Sequence, residues 1–317
     1  MSLLSSLFAP PPPTVAIELA NRRVTVVEVS RGVKGVSVTG YASESLPPEA
    51  IVPAPGGVNI ANPGIVADAL RRALERAGAK AARRAALVIP DSVARLSLLT
   101  FEQLPPKPAD VDQLVRWQLK KSTPYPIDEA QVSWFPAHRG NAGTVVGAVA
   151  ARRDVVAEYE AVATMVGVDA GLVDLACLNV MNAVVAANAS TPADWLLIAM
   201  SPEATALAIG RGADLMFYRH RPMLEGEPLS ALVHQTAMYH EDRLGGTRFS
   251  RVWLCGGGIG PEAAQAKLEI HNRLGVPVEA VDVRSAAQVD GRLNASADVL
   301  DALAAPVGVL LRDRRAA

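Results

Sequence analysis

Apolar and polar positions alternate in three closely spaced runs near the start of the chain. Thr14 to Leu19, Val24 to Val29 and Val36 to Tyr41 each read as a strand, with turns at Asn21-Arg22 and between Gly32 and Gly35. Residues 45–63 are rich in Pro, Gly and Asn and read as a loop. The period then changes. Ile65, Val66, Ala69, Leu70 and Leu74 recur at helical spacing from Pro63 to the stop at Gly78, with Arg71, Arg72, Glu75 and Arg76 on the other face.

Ala85 to Ile89 reads as a buried strand, followed after Pro90-Asp91 by the run "SVARLSLLTF". Asp110 is placed to cap a helix from Val111 to Lys121. The connector "TPYPIDEA" is stiff, because each proline turns its predecessor away from helix. Strands at Ala130–Pro136 and Gly143–Arg152 and a helix at Asp154–Gly167 complete a unit read as residues 94–168. A strand "AGLVDLA" and a helix "LNVMNAVVAANA" return the chain to the first unit, and "STPAD" reads as a linker. Trp195–Met200, Thr205–Gly210 and Leu215–Arg219 then repeat the opening meander, and a helix bearing Leu232, Val233, Met238 and Leu244 follows. Three strands and a helix thus occur twice, at 14–78 and 195–244, and this internal repeat implies a duplicated, two-lobed architecture. The remainder reads as a short strand at Val252–Leu254, a glycine run, a helix from Pro261 to Leu274, a strand "VPVEAVDV" and a last helix from about Asp298 to Arg312.

Bulk properties narrow the function. Of 317 residues, half are hydrophobic and only 4% aromatic, so the core must be built from Ala, Val, Leu and Ile. A net charge of −1 offers no basic excess for nucleic acid. Cys177 and Cys255 lie far apart without a second thiol or histidine at metal-binding spacing, which points to a reduced, intracellular chain without structural metal. The opening "MSLLSSLFAPPPP" has too short an apolar run for a signal peptide or membrane span and reads as a disordered leader, residues 1–13.

Particular stretches resemble a known family. They are "VAIELANRRVTVVEV", "LVRWQLKKSTPYPIDEAQVSW", "LVDLACLNVMNAV", "LLIAMSPEATALAIGRGADLMFYR", "VWLCGGG" and "APVGVLLR", in this order over residues 14–312. Together they resemble the PilM family of type IV pilus assembly proteins, relatives of the division protein FtsA and of the cytoplasmic part of GspL in type II secretion. The resemblance implies an α/β, actin-like (ribonuclease H-like) duplicated fold with a small inserted α+β subdomain. It divides the chain into a first lobe at 14–93 and 169–190 with a C-terminal helix at 306–317, an insert at 94–168 and a second lobe at 191–305. It further implies a cytoplasmic scaffold at the inner-membrane face. The partner would be the N-terminal peptide of an inner-membrane PilN-like protein, and the pilus ATPase and a second copy of the chain are further partners it allows.

In such a fold a magnesium nucleotide bridges two hairpins, each normally carrying Asp-x-Gly. Here the first hairpin reads Glu18-Leu19-Ala20-Asn21 and the second Ala199-Met200-Ser201-Pro202, where proline removes a donor. Glu18 is either a magnesium-side carboxylate or a strand-end residue facing solvent or an arginine. Gly256, Gly257 and Gly258 either touch a nucleoside or form a turn that needs positive φ. Gly308 fits the family's late hinge glycine. One nucleotide-binding element of three survives, so the cofactor reading is none, or ATP with magnesium held weakly, and no catalytic residue is assigned.

Arg116, Trp117, Lys120 and Tyr125 form the candidate partner surface; Trp117, like Tyr125 and Trp134, is either an interface anchor or a packing residue of the small unit. The leading expectation is a non-catalytic scaffold. The competitors are a GspL-like secretion component, an active ATP-binding or ATP-hydrolysing protein on the same fold, and an FtsA-like filament former.

Overall fold

The computed structural model describes residues 12–33, 35–140, 143–188, 193–223, 228–256, 261–291, 293 and 295–312. The leader reading at 1–11, most of the linker reading, Gly257, Gly258 and the end of the C-terminal helix reading lie outside these residues.

Strands β1 (Val15–Ala20), β2 (Arg23–Gly32) and β3 (Gly35–Ser45) form an antiparallel meander, and helix α1 (Pro63–Arg76) follows, capped by the Asn62 side chain. β4 (Arg84–Ile89) then lies parallel to β1, and β8 (Asp169–Leu175) parallel to β4. The second half repeats this. β9 (Asp194–Met200), β10 (Ala204–Arg211) and β11 (Asp214–Pro222) form the meander and α5 (Leu229–Leu244) follows. β12 (Arg251–Cys255) lies parallel to β9, α6 (Pro261–Leu274) follows, and β13 (Val278–Ala280) lies parallel to β12. The duplication therefore extends past the repeated meander and helix to two further parallel strands.

Between β4 and β8 the chain makes a sheet of its own. β5 (Ala94–Phe101), β6 (Ala130–Gly140) and β7 (Gly143–Arg152) are antiparallel in the order β5-β7-β6, with α2 (Pro108–Leu119) packed against them. Val111, Val115 and Leu119 of α2 join Phe101, Val132 and Val146 in a separate small core. Helix α3 (Arg153–Met165), which the linear reading places in this unit, packs elsewhere. Its Val155, Tyr159 and Val162 enter the core of the first lobe, the Tyr159 hydroxyl donates to Asn59, and Glu158 accepts the N–H groups of Asn59 and Ile60, both at 2.8 Å. None of Val155, Tyr159 and Val162 is in the small core, so the packing of this helix sets it with the first lobe, although it also contacts β7.

The late part of the chain is also redistributed. Strand 276–283 shrinks to β13, because the chain leaves β12 and crosses to the first lobe. There β14 (Gln288–Val289) pairs with β3, giving the sheet order β14-β3-β2-β1-β4-β8. Val281, Val283, Leu300 and Leu303 join the large core that takes in residues of both sheets, Val26 and Leu87 of the first and Leu197 and Trp253 of the second among them. The single last helix is two, α7 (Ala297–Ala302) and α8 (Ala304–Leu311), consistent with Pro306 lacking the N–H that would continue one helix.

The second sheet, β11-β10-β9-β12-β13, is buried on both faces. Leu196, Ile198, Val252 and Leu254 face α5 and α6, while Trp195, Leu197 and Trp253 face the other way, with the two tryptophans edge to face at 5.9 Å. On that side lies α4 (Ala176–Asn188), which packs against α8, the helix that covers β1, β2 and β4 of the first sheet. A Cβ on Gly308 would collide with the Asn179 carbonyl oxygen, so these helices cross at backbone contact.

Gly308→Val is expected to lower stability by about 1–3 kcal/mol through overpacking of this crossing, read as a lower urea midpoint at unchanged m-value. An unchanged midpoint would mean that the crossing is slack.

Candidate functional site

A cavity of about 230 Å³ lies between the lobes. Its back wall is Ala176, Cys177 and Val180 of α4 with Ala302 and Ala305 at the α7–α8 junction. Its lips are the β1–β2 hairpin, Glu18 to Arg23, and the β9–β10 turn, Met200 to Ala204. The two hairpins singled out in the sequence therefore do face each other.

Glu18 is buried, 6% exposed, and Arg23 Nη2 reaches its Oε2 at 3.4 Å. The pair follows from a two-residue hairpin that sets Ala20 opposite Arg23. Burial pushes the Glu18 carboxyl up from the ordinary range, and Arg23 only partly opposes it. Of the two readings of Glu18, its side chain faces an arginine. In the opposite turn, Ser201 N–H donates to the Ala204 carbonyl at 2.8 Å and Ala204 N–H to Ser201 Oγ at 3.1 Å. Pro202, between them, has no N–H.

Gly256 lies at the end of β12 with φ 78°, where a Cβ would strike the Met200 carbonyl oxygen. Its N–H donates to both carboxylate oxygens of Asp301 from α7, at 2.8 and 3.1 Å. The backbone conformation alone accounts for glycine here. Gly308 does not line the cavity. It sits at the α4–α8 crossing, and the hinge-glycine reading becomes a packing role.

Several cavity residues escaped the linear reading. Asp91, in the turn after β4, accepts Cys177 N–H at 3.0 and 3.2 Å and the Tyr218 hydroxyl at 3.2 Å. Burial, with a smaller contribution from Asp174, pushes its carboxyl up to about 7. Burial also raises Asp301. Cys177 and Cys255 are raised well above the ordinary thiol range by burial, so neither is an activated nucleophile. Pro90-Asp91 was legible only as a turn, and nothing local marks Asp301. Among the described residues no three His, Cys, Asp or Glu side chains gather as a metal site.

The candidate partner residues lie on the inserted unit. Trp117 is 58% exposed, with Lys121 Nζ 4.6 Å from its ring centroid, and Lys120 beside it is exposed. Arg116 is held by Asp112 at 2.8 Å. Tyr125 is half-buried against the small core and donates to the Ala150 carbonyl at 3.2 Å, and Trp134 packs on the same core. Trp117 is thus the free aromatic, while Tyr125 and Trp134 are packed.

Comparison with known proteins agrees with this architecture. The family profile of the type IV pilus assembly protein PilM matches residues 16–242, and the chain belongs to this family. No curated protein matches the sequence. The fold is similar to a solved PilM-PilN type IV pilus biogenesis complex, with a TM-score of 0.81 at 19% identity over 95% of this chain and 99% of that one. A Bacteroides thetaiotaomicron protein with an actin-like ATPase fold and unknown function matches with a TM-score of 0.52 at 8% identity, over 94% and 95% of the two chains. The cytoplasmic domain of EpsL, an inner-membrane component of the Vibrio cholerae type II secretion system, matches with a TM-score of 0.47 at 10% identity, over 76% and 81%. The fold is actin-like.

Arg23→Met leaves the Glu18 carboxyl buried without its cation. Arg23 is 39% exposed at its side chain, so the expected loss at neutral pH is discounted to about 1–3 kcal/mol. Glu18 is raised when folded, so its contribution is greatest in acid and is lost as pH rises through its folded value. The variant's deficit should therefore grow with pH, and Glu18→Gln in the same background should remove most of it. Urea midpoints in mild acid and mild alkali check this; a deficit independent of pH would mean that Glu18 is not the group left unpaired.

Proposed function

We propose that this PilM family chain is a cytoplasmic scaffold of a type IV pilus assembly machine. Its inserted unit, taken as residues 94–152, receives the N-terminal cytoplasmic segment of an inner-membrane PilN-like protein. The observation that carries this reading is Trp117. An aromatic side chain left 58% exposed on a family-specific insert, beside Lys120 and Lys121, has the character of an interface anchor. The family match spans the whole insert, and the similar solved structure is of a PilM-PilN complex. No helix among the described residues is long and apolar enough to cross a membrane, so contact with the membrane would run through the partner.

The same proposal takes the cleft as a degenerate nucleotide site that does not hydrolyse ATP. Three features support it. In the β9–β10 turn Ser201 and Ala204 donate their N–H groups within the turn and Pro202 has none. The Gly256 N–H is bonded to Asp301. Glu18 faces Arg23, and Asp91 and Asp301 place carboxyl groups, not phosphate-binding cations, in the walls of the cleft. Stabilising a transferred phosphoryl group needs donors aimed at it, and these are turned inward.

Calorimetric titration with ATP and magnesium is expected to show no binding up to about 1 mM, the level at which binding free energy is only about −4 kcal/mol. Tight binding with phosphate release would sink the degenerate-cleft reading. Trp117→Ala is expected to weaken binding of a synthetic peptide of the PilN-like N-terminus by about tenfold or more, with the urea midpoint within about 0.5 kcal/mol of the parent because the side chain is exposed. Unaltered peptide affinity would place the docking face elsewhere.

A further inference from the structure

One set of side-chain contacts spans the cleft. Tyr218 and His220 lie two residues apart on β11 and so share one face of that strand. Opposite them, at the end of β4, lies the turn Asp91-Ser92. The Tyr218 hydroxyl donates to Asp91 Oδ1 at 3.2 Å, and Ser92 Oγ and His220 Nε2 are 3.2 Å apart. Asp91, Ser92 and His220 all line the cavity. Asp91 also takes the N–H of Cys177 in the first turn of α4. One carboxyl therefore touches the end of a first-lobe strand, the helix between the sheets and the edge strand of the second lobe.

We propose that the Asp91-Ser92 turn and strand β11 form a latch holding the two lobes together across the cleft, and that the latch loosens as pH rises toward neutrality. The groups around Asp91 define its chemistry. Ser92 comes from its own turn, Cys177 from α4, Asp174 from the end of β8, and Tyr218 and His220 from β11. Arg312 is paired with Asp174 at 3.0 Å, and among the described residues no lysine, arginine or histidine forms an ion pair with Asp91. Burial raises Asp91 to about 7. Tyr218 is raised well above the ordinary phenol range, also by burial, so it keeps its proton and remains a donor. Burial lowers His220, which keeps its ring neutral and able to accept from Ser92.

The direction of the pH effect follows from proton binding. Opening the rim lets water reach Asp91 and returns it toward its ordinary value of about 4. The closed state then holds the proton more tightly than the open one. Opening becomes easier by up to about tenfold per pH unit between those two values, and is level above the higher one. His220 acts in the opposite sense, favouring opening only in acid, because its ring must lose burial to take a proton.

Hydrogen exchange of the full chain, with each rate divided by its intrinsic rate, tests the latch at residues 176–180 and 214–222. Protection in the parent, taken relative to Asp91→Asn, should fall by up to about tenfold per unit between roughly pH 5 and pH 7, then level off. Asp91→Asn keeps an oxygen for Tyr218 and Cys177 but cannot ionise, so its protection should not fall toward neutrality; the pH dependence left is that of His220, a loss of protection in acid. Tyr218→Phe should lower protection of 214–222 by about three- to tenfold at every pH, the worth of one hydrogen bond. A parent profile that falls no more steeply toward neutrality than that of Asp91→Asn overturns the proposal. Should that variant fail to fold, Tyr218→Phe decides: unaltered protection of 214–222 overturns the latch.

Discussion

The close crossing of α4 and α8 sets the geometry of the molecule. Both sheets rest on this helix pair, so the distance between the lobes is fixed by how near the two helices can approach. The approach needs a small residue: Gly308 on one helix meets the Asn179 backbone on the other. It also needs the polar groups at the seam to be satisfied. Asn179, fully buried, donates to the Leu175 carbonyl at 2.8 Å and accepts from Asn182 at 3.1 Å. A larger side chain at the crossing would widen the cleft, because the cavity's back wall is the same two helices.

Around that seam the cleft is closed by the protein's own hydrogen bonds. Gly256 N–H meets Asp301, Cys177 N–H meets Asp91, and Arg23 meets Glu18. Each contact places a carboxyl where a backbone donor or a cation would otherwise face a ligand. Burial raises all three carboxyls, so the cleft holds them at a cost in electrostatic free energy. That cost is tolerable because each has at least one donor within about 3.5 Å, whereas an isolated buried carboxylate would not be. The result is a cleft whose wall N–H groups at Gly256 and Cys177 are bonded within the protein.

Much of this fold was legible because its signals are local. Alternation marked the meanders β1–β3 and β9–β11, and helical spacing marked α1. The repeat between the halves followed from comparing them. What was not legible depends on long-range packing. Nothing in residues 153–165 says that their apolar face meets α1 rather than the small sheet. β14 is two residues long and exists only because β3 has a free edge. Glu18 could be read as facing an arginine, since Arg23 is the residue a two-residue turn brings opposite Ala20. Asp91 and Asp301 could not be read, because their partners lie 127 and 45 positions away. Gly308 was read as the family's hinge glycine, but what its lack of a side chain accommodates is the Asn179 backbone of a neighbouring helix.

The inserted unit joins the rest of the molecule at both lobes. It leaves the first lobe through the turn at Asp91, directly before β5, and it reaches the second where the His138 ring nitrogen and the Leu215 carbonyl lie 2.8 Å apart. Strand β11 is therefore touched twice, by the turn at Tyr218 and His220 and by the insert at Leu215. A small sheet fastened at both ends cannot shift relative to one lobe without straining its contact with the other, since packed interfaces move between discrete arrangements and do not deform continuously. Trp117 faces solvent on α2 and makes none of the contacts that fasten the insert and the Asp91 turn to β11.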